Sequence, residues 1–172
     1  PGASSAGQIR LILARPGRFL SAVRGMATAH FGDHVREFVG QLGWLEVALP
    51  AALILLFLVV LAMTALADKN GGIDIRWQPK ALGLLITLAS AAAITATIYV
   101  VWNPVGAAGI EGVQGRYFIP FGPLLLLLLY NRKIPPLLDR VRVLGGVLVA
   151  FCAFALAFGL AALLSRFYAS FY

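Results

Sequence analysis

Four long apolar runs dominate this sequence, and they constrain what can surround the chain. They cover about 46–67, 81–102, 117–130 and 143–164. A helix rises 1.5 Å per residue, so a hydrocarbon core of roughly 30 Å calls for about 20 apolar residues. Backbone groups inside that core find no water, and a helix satisfies them within the segment. Composition agrees. Hydrophobic residues make up 60% and charged residues only 12%, where a soluble domain is roughly a quarter charged. Mean hydropathy is +0.89. The expected fold is an all-α integral membrane protein. It has four transmembrane helices, the third short or broken, preceded by amphipathic surface helices. The expected division is residues 1–43 for the surface helices and 44–172 for the four-span domain.

The net charge of +7 and a pI near 10.2 do not make nucleic acid the partner. The arginines and lysines sit in short segments flanking apolar runs, and no basic stripe is interleaved with stacking aromatics. Cys152 is the single cysteine and lies in an apolar run, so neither an internal disulfide nor a Cys-based metal site is expected. No signal-peptide pattern opens the chain at Pro1. The expectation is the C-terminal part of a longer protein.

Residues 1–7 are small and polar and read as loop. Residues 8–43 are amphipathic. Phe19, Leu20, Val23, Met26 and Ala27 recur at helical spacing, and Pro16 suits a first turn. Gly32 is expected to interrupt that helix, with Asp33 capping a second one that carries Val35, Phe38, Val39 and Leu42 and ends at Gly43. Neither piece is apolar enough to span, and their arginine-rich faces suit the membrane surface or docking on the spans. Small residues and hydroxyls at 89–97 favour close helix packing, as does the Ala155/Gly159 pair. Phe167, Tyr168, Phe171 and Tyr172 resemble an interfacial aromatic belt.

Loop charge sets an expected topology. Residues 68–80 carry Lys69, Arg76 and Lys80, and 131–142 carry Arg132, Lys133, Arg140 and Arg142. The loop before Tyr117 has only Arg116, balanced by Glu111. The positive-inside rule then places both basic loops in the cytoplasm, with both termini and 103–116 outside. The arginines at 10, 15, 18, 24 and 36 run against that rule, which weakens for long segments.

The most informative stretch is Gly112-Val113-Gln114-Gly115-Arg116-Tyr117-Phe118-Ile119-Pro120. As a helix, 117–130 covers only about 20 Å. Pro120 and Pro123 predict a helix start near Ile119, below the outer surface. The preceding Gln-Gly-Arg is then irregular backbone at membrane depth, tolerated where it is buried in protein or lines a cavity. The plainer reading is a glycine-rich loop with Arg116 reaching lipid headgroups.

This stretch resembles the signature of a family of bacterial polytopic membrane proteins, domain-of-unknown-function family twenty-one forty-two. Val39-Gly40-Gln41-Leu42-Gly43-Trp44-Leu45-Glu46, then Leu49-Pro50, is similar to a second stretch of it, and Arg15-Pro16-Gly17-Arg18-Phe19 fits loosely. That family is grouped with the GT-C glycosyltransferases, which take a sugar from a polyprenyl-phosphate carrier at the outer membrane face. The resemblance implies a multi-pass protein of the bacterial inner membrane with a role in cell-envelope glycan assembly. It implies a carrier-binding half, because the family's catalytic acidic residue belongs to an earlier outward loop. The catalytic residues are therefore unknown from this chain.

The candidate lipid-phosphate site is Arg116, Gln114, Gly115, Tyr117 and Glu111. Arg116 offers a planar cationic fork, Gly112 and Gly115 allow close backbone approach, and Tyr117 with Phe118 suits an isoprenoid passage. The expected partners are membrane lipids and a polyprenyl-phosphate-linked sugar, with no cofactor. His30, His34 and Glu37 have the spacing of a metal face, but the expected break at Gly32–Asp33 and the lack of His-Glu-x-x-His argue for interfacial polar residues and no metal. Glu46 reads either as an acid/base group or as a solvated helix-start carboxylate. The competing functional readings are a transporter or flippase-like module, which also uses broken helices, and a non-catalytic membrane scaffold.

Overall fold

The computed structural model describes residues 4–67, 75–130 and 141–168. Seven α-helices, one 3₁₀ helix and a two-residue ladder make up these residues: α1 (Ser5–Ala14), α2 (Pro16–Ala29), α3 (Phe31–Val39), β1 (Gln41–Leu42), β2 (Val47–Ala48), α4 (Ala51–Ala67), α5 (Trp77–Trp102), the 3₁₀ helix (Gly115–Phe121), α6 (Gly122–Leu129) and α7 (Val141–Tyr168). Among the described residues the fold is all-α apart from that ladder. Among the described residues two stretches are long and apolar enough to cross a membrane, Trp77–Trp102 and Gly145–Tyr168, and two shorter apolar stretches accompany them. The chain forms two compact units.

The first unit is Pro1–Phe38 with Leu84–Gly122. Its core gathers Ala22 and Met26 of α2, Tyr99 of α5, and Ile110 and Val113 of the following loop, with Phe19 and Phe118 packed alongside. The Phe19 and Tyr99 rings lie 5.4 Å apart, an aromatic contact worth about 0.5–1.5 kcal/mol beyond burial. α1 is tied in by a polar side chain. Gln8 is fully buried, donates from Nε2 to the Tyr99 carbonyl at 3.3 Å and accepts from the Gly106 amide at 2.8 Å. The amphipathic helices thus dock on the C-terminal half of α5.

The second unit is Val39–Gly83 with Pro123–Tyr172. Gln41 and Leu42 pair antiparallel with Ala48 and Val47. The turn between them holds two left-handed residues, Gly43 at φ 65° and Leu45 at φ 67°. Glycine suits that conformation and leucine resists it by about 1–2 kcal/mol. Leu49, just before α4, and Leu53 and Ile54 of α4 pack against Val39, Leu42 and Phe151, and Phe57 meets Phe151 edge-on at 4.8 Å. An apolar groove of about 500 Å³ runs between α4 and α7, walled by residues such as Leu49, Phe57, Leu156 and Leu160.

Several elements depart from the sequence expectation. Residues 5–7 are helical, because Ser4 caps α1 by accepting from the Gly7 amide at 3.3 Å. The break after α2 falls at His30 and not at Gly32, so Gly32 and Asp33 lie inside α3. The His34 amide still bonds the His30 carbonyl at 2.9 Å across the join. On α2 the buried face is Phe19, Ala22, Val23 and Met26, while Leu20 is 63% exposed. α3 ends at Val39, and Leu42 belongs to β1. Glu46 sits in the hairpin turn rather than at a helix start, 3.8 Å from Arg166 in a solvent-exposed ion pair. The first apolar run is helical only from Ala51, giving 17 residues or about 25 Å. The third run is longer than a plain helix over 117–130 allows. Its seven-residue 3₁₀ segment rises about 2.0 Å per residue, so with the eight residues of α6 it reaches about 26 Å. The basic loops at 68–80 and 131–142 and the last aromatics, Phe171 and Tyr172, lie wholly or partly outside the described residues.

α5 shows how a mostly apolar helix chooses its packed side. Its fully buried positions from Gly83 to Tyr99, namely Gly83, Thr87, Thr95 and Tyr99, fall on one four-residue repeat, with partly buried Ala91 between them. Leu82, Leu85, Ile86 and Leu88 are exposed. In a soluble protein the leucines would turn inward. Against lipid they gain nothing by doing so, and the buried positions go to small residues, threonines and Tyr99.

Candidate functional site

The candidate loop begins where α5 stops. Asn103 is 2% exposed. Its Nδ2 donates to the Ile98 and Glu111 carbonyls at 3.2 and 3.1 Å, and its Oδ1 accepts from the Glu111 amide at 2.9 Å. One amide side chain therefore closes the turn of residues 103–111. Tyr99, fully buried, reaches the same turn, its hydroxyl donating to the Ala107 carbonyl at 2.8 Å. Gly112 follows at φ 87°, a left-handed conformation that a side chain disfavours. These contacts hold residues 103–113 as a packed loop lying on Met26 and Tyr99.

The signature residues come next. Gln114 precedes the 3₁₀ helix and is partly buried, its Oε1 enclosed without a hydrogen-bond partner. Gly115 is buried and donates its amide to Glu37 Oε2 at 2.5 Å. A Cβ at Gly115 would collide with the His34 carbonyl. The close approach that this glycine permits is therefore to α3. Arg116 is partly buried and Tyr117 is 37% exposed. Glu111 enters through its backbone, held by Asn103, while its side chain is exposed. The structure thus brings Gln114, Gly115, Arg116 and Tyr117 together at the head of the third apolar stretch. The expected helix start at Ile119 is replaced by 3₁₀ turns from Gly115, with Pro120 inside them. The α-helix itself begins only at Gly122.

His34 and Glu37 acquire a different place from the metal face that their spacing suggested. They lie on one side of α3 at i and i+3. His34 Nδ1 stands 3.6 Å from Glu37 Oε2 without a hydrogen-bond partner, and its Nε2 meets the Met26 sulfur at 3.2 Å. His30 faces outward beside Asp33 at 3.6 Å. Among the described residues no group of three or more His, Cys, Asp or Glu is placed to hold a metal ion. No local pattern signals that Glu37 holds Gly115, because the bond joins positions 78 residues apart. The available signal was a carboxylate on the apolar side of a short helix, which needs a partner once buried.

Comparison with known families bears on the whole arrangement. A family model described as "Predicted membrane protein (DUF2142)" matches residues 2–125, which is 124 of the 172 residues. The chain belongs to this family. It is a membrane protein family, and lipids are the expected surroundings of its apolar helices. The DUF2142 match includes α1–α3, the loop at 103–114 and the whole 3₁₀ helix, so the Asn103 and Glu37 anchors both fall inside it. No curated protein and no solved structure matches the chain.

Proposed function

We propose that this DUF2142 chain is the C-terminal membrane module of a bacterial GT-C-like glycosyltransferase-type protein. It holds a polyprenyl-phosphate-linked sugar at the outer face of the inner membrane, for cell-envelope glycan assembly. The observation that carries the reading is the packed, non-α-helical backbone of 103–121, with Arg116 partly buried at the head of a short apolar stretch. Irregular backbone at membrane depth is tolerated where protein covers it or a cavity adjoins it. A guanidinium matches a phosphate with two parallel hydrogen bonds. The Gly115 amide is engaged by Glu37, so recognition falls to Arg116, with Gln114 as a neutral polar neighbour and Tyr117 beside the prenyl chain.

In this reading α4, α5, the 3₁₀–α6 stretch and α7 are the four crossings, and residues 1–43 stay at the outer surface. The loops at 68–80 and 131–142 are cytoplasmic. The contacts of Gln8 with Gly106 and of Glu37 with Gly115 support that topology, since they join segments that it places on the same side. The acid that performs transfer belongs to another part of the full-length protein.

The test is carrier binding by the full-length protein in nanodiscs. Arg116→Ala is expected to weaken binding of a polyprenyl phosphate about tenfold or more, the effect of losing a charge-assisted hydrogen bond of roughly 1.5–3 kcal/mol. Arg116→Lys, which keeps charge and loses the fork, should fall between. Membrane insertion should be unchanged in both. If Arg116→Ala binds as tightly as the parent, the phosphate site is elsewhere.

A further inference from the structure

We propose that Glu37 is a positioning residue that fixes the backbone at Gly115 and so sets where the Arg116 side chain projects. The inference deepens the reading of Arg116 as a phosphate ligand and rests on it for its functional meaning. Three observations on α3 carry it. The Glu37 carboxylate is 13% exposed and takes the Gly115 amide at 2.5 Å. The His34 carbonyl occupies the space where a Cβ at Gly115 would stand. The Phe38 ring tip lies 3.1 Å from the Cβ position of Gly122. One helical turn of α3 therefore grips the 3₁₀ helix at both ends, through Glu37 and His34 at its start and through Phe38 just beyond its end.

That grip suits positioning better than stability alone. An enclosed carboxylate is costly to desolvate, and an apolar residue of similar size would fill the same space at lower cost. What the carboxylate adds is direction. It holds one backbone amide at a fixed point, and the next residue is the arginine. A bidentate guanidinium–phosphate contact tolerates little displacement, and a misplacement of about 1 Å in a binding constellation is enough to lose much of its effect. Asn103 holds the other end of the loop through Glu111, so loss of the Glu37 bond acts first on the Gly115 end, next to Arg116.

The experiment has two arms, both on the full-length protein in phosphatidylcholine nanodiscs. The first measures the maleimide labelling rate of Arg116→Cys, which reports loop geometry without any ligand. It is made with Glu37 intact and with Glu37→Gln, Glu37→Ala and Glu37→Met. Gln keeps an acceptor for the Gly115 amide, Met keeps the volume without one, and Ala keeps neither. Labelling is expected to change about tenfold in Ala and Met and to stay within about twofold in Gln, since losing a hydrogen bond to a charged group is worth at least about that ratio. The second arm titrates undecaprenyl monophosphate against the same Glu37 variants with Arg116 intact, and against Arg116→Ala. Binding should weaken about tenfold in Ala and Met and hold in Gln. Equal labelling in all four backgrounds overturns the proposal. So does failure of Ala and Met to fold while Gln folds, which assigns Glu37 to stability. Binding unaffected by Glu37→Ala, with Arg116→Ala defective, also overturns it and leaves the phosphate reading standing. A labelling response together with carrier binding that ignores Arg116→Ala supports Glu37 control of the loop and overturns the phosphate reading alone.

Discussion

Asn103 and Gly115 carry the loop at single-residue scale, and they fail in different ways. Asn103 makes three hydrogen bonds from a nearly inaccessible side chain. Asn103→Ala leaves the Glu111 amide without its acceptor in a closed space, where an unmet polar group costs about 1–3 kcal/mol. The expected result is a drop in thermal midpoint and faster amide exchange at 103–111, with α1–α3 still helical. Unchanged exchange there would show that the turn closes without Asn103. Gly115→Ala has no gentle outcome, because its Cβ meets backbone at His34 rather than a movable side-chain tip. Overpacking of a core costs typically 1–3 kcal/mol, and here it separates Gly115 from Glu37. A Gly115→Ala protein that melts with the parent would disprove the close approach. Gly109, with open space around its Cβ position, is the control, and Gly109→Ala should be nearly neutral.

Elements end where backbone groups find partners, and α6 ends on a lysine. Lys80, in the first turn of α5, donates Nζ to the Leu128 carbonyl at 3.3 Å and to the Tyr130 carbonyl. The last carbonyls of a helix lack intrahelical partners and carry negative partial charge, so an ammonium group suits them. Lys80→Met keeps the stem and removes the donors. Amide exchange across 127–130 is expected to rise, at a stability cost of about 1–2 kcal/mol. Exchange unchanged over those residues would mean that α6 needs no such cap. The small-residue pair on α7 also takes its place at this scale. Ala155 and Gly159 are its buried positions among the residues whose burial is described, and a Cβ at Gly159 would stand 3.4 Å from Leu42. Gly159 thus faces the hairpin, while Phe154, Leu156 and Leu160 of the same helix are exposed.

For the whole molecule, the exposed apolar surface of α5 and α7 fits the membrane protein family to which the chain belongs. Leu82, Leu85 and Leu88 of α5 are 58–63% exposed, and leucines facing lipid tails lose nothing by that exposure. The proposed four-span topology makes a direct prediction. A cysteine at Ala108, which is exposed, should react with an impermeant maleimide from the outer face, and one at Asn70 should react only after the membrane is opened. Reaction of both from the same side would remove the four-span arrangement.

The sequence by itself determined the environment, the helical class and the position of the signature loop. Long apolar runs permit few other solutions, and Pro16 marked the start of α2 because its fixed φ and missing amide suit a first turn. The 112–120 stretch stood out because its glycines, prolines and lone arginine interrupt apolar sequence. Tertiary structure alone decided what those residues touch. Leu20 and Ala22 are both apolar, and only packing against Tyr99 turned Ala22 inward. Glu46 preceded an apolar run, yet the Gln41–Ala48 pairing put it in a turn. Glu37 looked like the third member of a histidine cluster and became the anchor of Gly115, a residue 78 positions away. Local propensity and periodicity act over a few residues. A hydrogen bond across the fold depends on how whole helices dock, and no short-range pattern encodes that.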